Sequence, residues 1–164
     1  MKIVALLSIL FLLTGCSIQT ASWETVEDHS VSAEQALYGI AIGLPEAALT
    51  DEIEGCRRYE TQSLQVEVST FFASDFEDAI HRLSGFAADK LTVLQTSRFG
   101  LPEYQFAWYC QTEEGGKLCR ADMVMDGMTC YAVVCSASET GGEAAREEAG
   151  QVFSSFGLMS AEAV

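Results

Sequence analysis

Positive charge is scarce in this sequence. Nine Lys and Arg stand against 24 Asp and Glu, a formal net charge of -15. Such a surface repels the phosphates of nucleic acids and anionic lipid head groups, so a nucleic-acid partner is excluded. Cationic partners, metal ions or plain solubility remain as readings of the charge. No two of the six cysteines have the Cys-x-x-Cys spacing of a zinc knuckle or thioredoxin-type site. His29 and His81 stand apart from them in sequence. The chain also lacks G-x-S-x-G, a G-x-x-x-x-G-K-[ST] phosphate loop and H-E-x-x-H. No catalytic residue, metal ligand or cofactor is therefore assigned. Internal repeats and low-complexity runs are absent too. With 164 residues, 49% of them hydrophobic and 20% charged, there is material for one packed domain plus appendages.

A run long enough to cross a bilayer is likewise missing. Ile3–Leu13 is apolar but for Ser8, well short of the roughly 20 residues a spanning helix needs. Behind Lys2 it fits the h-region of a secretory signal. The run ends in Leu13-Thr14-Gly15-Cys16, which resembles the bacterial lipobox. That resemblance implies a thioether-linked diacylglyceryl group on Cys16 and cleavage between Gly15 and Cys16. One acyl chain holds a protein to a membrane marginally and two hold it stably. Cleavage would remove Lys2 and no acid, so the lipid, not the protein surface, would contact the bilayer. The expected organisation is a signal peptide at 1–15, a lipidated tether at 16–33, a single domain at 34–158 and a flexible tail at 159–164. Within the tether, Trp23 is the one residue suited to docking or to the head-group level.

Periodicity outlines the domain. Tyr38, Ile40, Ile42 and Leu44 alternate as in a strand with one packed face, and Pro45–Leu49 reads as a helical turn. "CRRYETQSLQVEVSTF" reads as a hairpin, with Leu64, Val66 and Val68 inward and Gln65, Glu67 and Ser69 on a wet face. Ser74 and Glu77 form a capping box for a helix whose stripe is Phe76, Ile80 and Leu83, stopped by Gly85. "KLTVLQTS" is a strand, and Gly100-Leu101-Pro102 a turn. Tyr104, Phe106, Trp108 and Cys110 then share one strand face, as do Cys119, Ala121, Met123 and Met125 on the next. Taking Asp126-Gly127 as a two-residue hairpin loop sets Met125 opposite Met128, Met123 opposite Cys130 and Cys119 opposite Val134. A four-residue "EEGG" loop sets Cys110 opposite Cys119. Tyr109, Tyr131 and Val133 on the second face imply that both faces are at least partly covered. Ala145, Ala149, Val152, Phe153 and Phe156 form the stripe of a closing helix, with Gly157 as its stop. The fold class is α+β: a mainly antiparallel sheet of about six to seven strands with two main helices packed on it.

This element order resembles the Mog1/PsbP-like fold, through "GLPEYQFAWY" before a meander, "YAVVCSA" on its last strand and "VFSSFGL" closing the final helix. The likeness covers most of residues 34–158. It implies a binding or assembly protein more than an enzyme, and places no binding residue. Among possible chemistries, Cys110–Cys119 is the best disulfide candidate. Cys130 lies on the same face and Cys135 on the other, and the odd number of domain cysteines cannot all pair. Glu77, Asp78 and His81 lack a further ligand to make a metal site, and "EAAREEA" around Arg146 reads as a solvated helix face. Gly141-Gly142 before a helix reads as a loop that offers N–H groups to an anion at best. The expected function is a lipid-anchored, extracytoplasmic, non-enzymatic binding or accessory module of the cell envelope, with an envelope protein or small ligand as partner. The alternatives are a thiol-based redox protein or an acidic cation-binding domain.

Overall fold

The computed structural model describes residues 23–28, 37–53, 55–113 and 115–160. The expected signal peptide, Gly15 and Cys16 lie outside the described residues, as do the remainder of the tether and the last four residues of the tail. In chain order the elements are β1 (Trp23–Asp28), β2 (Tyr38–Pro45), β3 (Ala48–Ile53), β4 (Cys56–Glu60), β5 (Gln65–Phe72) and α1 (Phe76–Ser84). After a 3-10 turn at Ala88–Lys90 come β6 (Val93–Arg98), β7 (Leu101–Thr112), β8 (Gly115–Asp126), β9 (Thr129–Ser138), α2 (Gly142–Ser155) and β10 (Gly157–Ser160).

The strands make a seven-stranded sheet, β3-β4-β5-β9-β8-β7-β6, and a three-stranded sheet, β1-β2-β10. Every pairing is antiparallel. The large sheet is the middle layer. On one face Tyr104, Phe106, Trp108, Ala121, Met123 and Cys130 bury themselves beneath Ala79 and Ile80 of α1. On the other, Val66, Val68, Tyr131 and Val133 pack against Ile40, Ile42 and Leu44 of β2 and against Val152 and Phe153 of α2. Coverage on both sides explains why β9 is buried from Thr129 to Cys135 with no wet alternation. Full burial of each such aliphatic side chain contributes about 1.5–3 kcal/mol.

Several local expectations shift by a residue or an element. The cap of α1 is Asp75, not Ser74: its carboxylate accepts the Asp78 N–H at 2.9 Å, and Asp78 accepts the Ser74 N–H at 3.0 Å. The cap is therefore one residue on, and Asp78 reaches back to the N–H before the cap residue, not to the cap's own as in a reciprocal box. Gly85 closes the helix at φ 77°. Leu49, expected in a helical turn, belongs to β3, an exposed edge strand held to β4 by Arg57–Glu52 and Arg58–Asp51 ion pairs. Charge on an edge strand also discourages pairing with other chains. The outer face of β5 is less wet than expected, since Ser69 is buried and Glu67 is held by Arg58 at 3.1 Å. Leu101 and Pro102 start β7, and the turn is Phe99–Gly100.

Both later hairpins have different loops from those expected. Asp126 pairs with Thr129, so the β8–β9 loop is Gly127–Met128. Gly127, at φ 58°, takes the first loop position, as glycine does in a type II′ turn. Met125 therefore faces Cys130, Met123 faces Ala132 and Cys119 faces Ser136. Moving one residue on each strand preserves every inward face. In the β7–β8 hairpin Thr112 pairs with Gly115, which sets Trp108, not Cys110, opposite Cys119.

The ends of the domain also reach further than expected. Trp23–Asp28, within the expected tether, pairs with β2, and β10 carries the C-terminal side of the fold to Ser160. Helix α2 stops because Phe156 turns to an extended conformation, φ -60° and ψ 122°, while Gly157 enters β10.

Candidate functional site

The inward alternation of β8 leaves Leu118, Arg120 and Asp122 on the face toward α2, because Cys119, Ala121 and Met123 serve the opposite core. Helix α2 crosses above this face. Its C-terminal end is tied down by Ser155, whose hydroxyl accepts the Gly43 N–H at 2.9 Å and donates to the Val152 carbonyl at 2.7 Å. Toward its N-terminal end a cavity of about 430 Å³ remains between helix and sheet. Leu64, Leu118, Ala137 and Ala149 give it apolar walls, and Arg120 and Arg146 line it with positive charge. Gly142, at the start of α2, also borders it.

Tyr109 and Glu139 form part of the lining, with Tyr109 Oη 3.3 Å from Glu139 Oε2. The Tyr109 ring lies across Gly116, where an added Cβ would sit 1.6 Å from the phenol oxygen. Glycine at that position is what lets the ring lie there. The Arg120 guanidinium rests on the Phe153 ring, 4.6 Å from its centroid. Such stacking holds the group without neutralising it.

Beside the cavity, on the same face, lies a buried charge cluster. Arg98 at the end of β6 donates to Glu103 at 2.5 Å, to Asp122 at 3.1 Å and to the Phe156 carbonyl at 2.7 Å. Thr96 also bonds to Glu103, and Gln105 donates to Asp122 at 3.3 Å. Burial raises the Glu103 carboxyl, but hydrogen bonds from Thr96 and Arg98 outweigh it and hold the group below its usual value. Asp122 is fully buried, and burial together with the neighbouring Glu103 charge pushes it up to about 7. Two carboxylates this close favour a shared proton. The cluster clamps the end of α2 to β6–β8.

The cysteines lie elsewhere. Cys110 and Cys119 are diagonal neighbours with sulfurs 3.5 Å apart, and both are free thiols here. Burial pushes Cys119 up to about 11 and raises Cys130 strongly. Cys135 does line the cavity, where burial pushes it up to about 12. Thiols so placed carry little of the nucleophilic thiolate at neutral pH. Cys130 shares the face of Cys119, and Cys135 lies on the other, as the alternation implies. Glu77 and His81 are exposed on α1, and Asp78 is engaged with Arg82 at 3.1 Å. Among the described residues no cluster of three or more His, Cys, Asp or Glu is positioned to hold a metal ion.

Two residues of the cavity had been assigned differently from sequence. Arg146, read as part of a solvated helix face, lines the cavity, and Arg120 had not been singled out. The one available signal for Arg120 was an arginine between two core-facing residues, Cys119 and Ala121. Tyr104, Phe106 and Trp108 serve the core, with Phe76 stacked on Tyr104 at 5.0 Å and Phe106 on Trp108 at 5.5 Å. Tyr109 is the aromatic of that strand that reaches the cavity.

Solved structures share this architecture. Cyanobacterial PsbP (CyanoP) from Synechocystis sp. PCC 6803 aligns with a TM-score of 0.59 at 12% identity, over 90% of this chain and 99% of that one. LpqN of Mycobacterium tuberculosis, described as involved in cell envelope biogenesis, aligns with a TM-score of 0.50 at 9% identity, over 84% and 91%. A protein from Bacteroides thetaiotaomicron aligns with a TM-score of 0.52 at 13% identity over 75% of this chain, which spans 46% of that longer one. No family model and no curated protein matches the sequence. The fold is PsbP-like α+β, as the element order implied, and at such identities the likeness is one of fold alone.

Proposed function

We propose that this chain is an extracytoplasmic lipoprotein, held to a bacterial membrane through acylated Cys16, whose domain is a non-enzymatic binding module of the cell envelope. The observation that carries the binding role is the cavity between α2 and the β7–β9 face. Its lining combines apolar walls with fixed charge, which suits recognition. Its thiol, Cys135, is a poor nucleophile at neutral pH because burial raises it. An envelope-biogenesis protein among the structural neighbours supports the setting. Among the described residues no helix is long and apolar enough to cross a membrane.

The anchor has a direct test. Full-length protein in a bacterial host should shift in mobility on globomycin treatment, and Cys16→Ser should abolish the shift. A wild-type chain whose mobility ignores globomycin would overturn the anchor.

A further inference from the structure

We infer that the cavity beneath α2 takes a small organic anion, a carboxylate carried on an apolar body. This rests on reading the domain as a binding module and adds the charge and shape of its ligand. The starting point is an anomaly of pairing. In a chain of net charge -15, carboxylates are abundant. Arg57 and Arg82 each hold one, and Arg58 and Arg98 two, at 2.5–3.4 Å. Arg120 and Arg146 are the two arginines among the described residues that make no ion pair, and both line the same cavity.

The nearby acids make no direct ion pair with either: Glu139 Oε2 faces the Tyr109 hydroxyl, Glu148 accepts a hydrogen bond from Ser63, and Asp122, which feels the Arg120 charge, is bonded to Arg98 and Gln105. Helix α2 begins at the cavity with Gly141 as a cap that supplies no side-chain acceptor, so its first N–H groups add partial positive charge. The guanidinium of Arg120 is already fixed on Phe153, which lowers the entropy lost on engaging a ligand. A planar, weakly hydrated guanidinium matches the two oxygens of a carboxylate. The walls of Leu64, Leu118, Ala137 and Ala149 favour an apolar body. A volume of about 430 Å³ falls in the range of small-molecule pockets. A cation would meet two arginines that hold no carboxylate, and a neutral apolar molecule would leave both without one.

The test uses the mature chain, residues 16–164 with Cys16→Ser, which carries neither the acyl chains nor the apolar leader that would compete for an apolar site. Titration calorimetry compares decanoate with 1-decanol, and naphthalene-2-carboxylate with naphthalene-2-methanol. The anions should bind at least about tenfold more tightly than their alcohols, a difference that shrinks with added salt. Arg120→Met and Arg146→Met preserve side-chain bulk. Each should weaken the anions about tenfold and leave the alcohols unchanged, while Arg82→Met on α1 should change neither. Equal affinity of acid and alcohol, or full affinity in both cavity variants, would overturn the anionic ligand while leaving a binding cavity in place. If neither acid nor alcohol binds at millimolar concentration, the cavity's binding role falls with it, and the anchor is still decided separately by globomycin.

Discussion

Phe99 shows how a single position can resist the preference of its own side chain. The loop joining β6 and β7 has two residues between paired Arg98 and Leu101. Both take positive φ, 54° at Phe99 and 80° at Gly100, the requirement of a type I′ turn. Glycine is at ease there, whereas a phenylalanine is not. The ring is 67% exposed, so burial does little to offset the strain. Phe99→Asn should raise the unfolding free energy by about 1 kcal/mol, read as a higher urea midpoint at unchanged slope. A lower midpoint would show that the ring supplies packing worth more than the strain. In the sequence the turn was legible from Gly100, but its exact pair was not. Pro102 pulls a pattern reader forward, although proline is tolerated at the start of a strand.

At the scale of elements, the Arg98–Glu103–Asp122 cluster joins β6, β7 and β8 to the end of α2, and its proton gives it a pH signature. Asp122 titrates near the ordinary carboxylate value when unfolded, about 3.9, and at about 7 in the fold. Between those values the folded chain holds a proton that the unfolded chain has released. Stability from this group is therefore full below the lower value and lost as pH rises through about 7. Glu103 is shifted the other way, so its contribution is lost only on acidification through its own lowered value. Chemical denaturation should thus show stability declining from about pH 4 to about pH 7 and levelling off above it. Asp122→Asn keeps a donor for Glu103 and an acceptor for Arg98 without the titration, and should flatten that decline. The same slope in wild type and variant would show that other groups produce it.

The elements themselves were legible wherever burial is one-sided or striped. Ile40, Ile42 and Leu44, the Tyr104–Trp108 face and the Val152–Phe156 end of α2 all lie where their periodicity put them. Of the edge strands only β6 was legible, within "KLTVLQTS"; β1, β3 and β10 were not. β3 is exposed along its whole length and carries no burial pattern, while β10 is four residues long. The hairpin partners also escaped, because glycine at either loop position satisfies the sequence signal while changing every cross-strand pair. Faces survive such a slip, so the thiols fell on the right sides of the sheet, though Cys110 and Cys119 are not directly opposed. The cavity depends on where α2 crosses the sheet and leaves a gap, which no local pattern encodes.

For the molecule as a whole, the acidic surface and the proposed anchor make opposite demands on a membrane, and that opposition can be measured. A surface of net charge -15 is repelled by anionic head groups within a Debye length of about 8 Å at physiological ionic strength. Acyl chains on Cys16 act instead through buried CH₂ groups, each contributing roughly 0.8 kcal/mol, and two or more chains outweigh the repulsion. Mature lipidated protein should therefore co-sediment with phosphatidylglycerol-containing vesicles at low and high salt alike. The mature chain, residues 16–164 with Cys16→Ser, carries neither acyl chains nor the apolar leader; it should stay in the supernatant at every ionic strength, yet move to the pellet when the vesicles carry a cationic lipid, and return on adding salt. That reversal identifies charge as the reason for exclusion, since a merely hydrophilic surface would ignore the sign of the lipid. Binding of the Cys16→Ser chain to anionic vesicles would mean that the domain carries a membrane-binding surface of its own, and the division of labour between lipid and protein would fail.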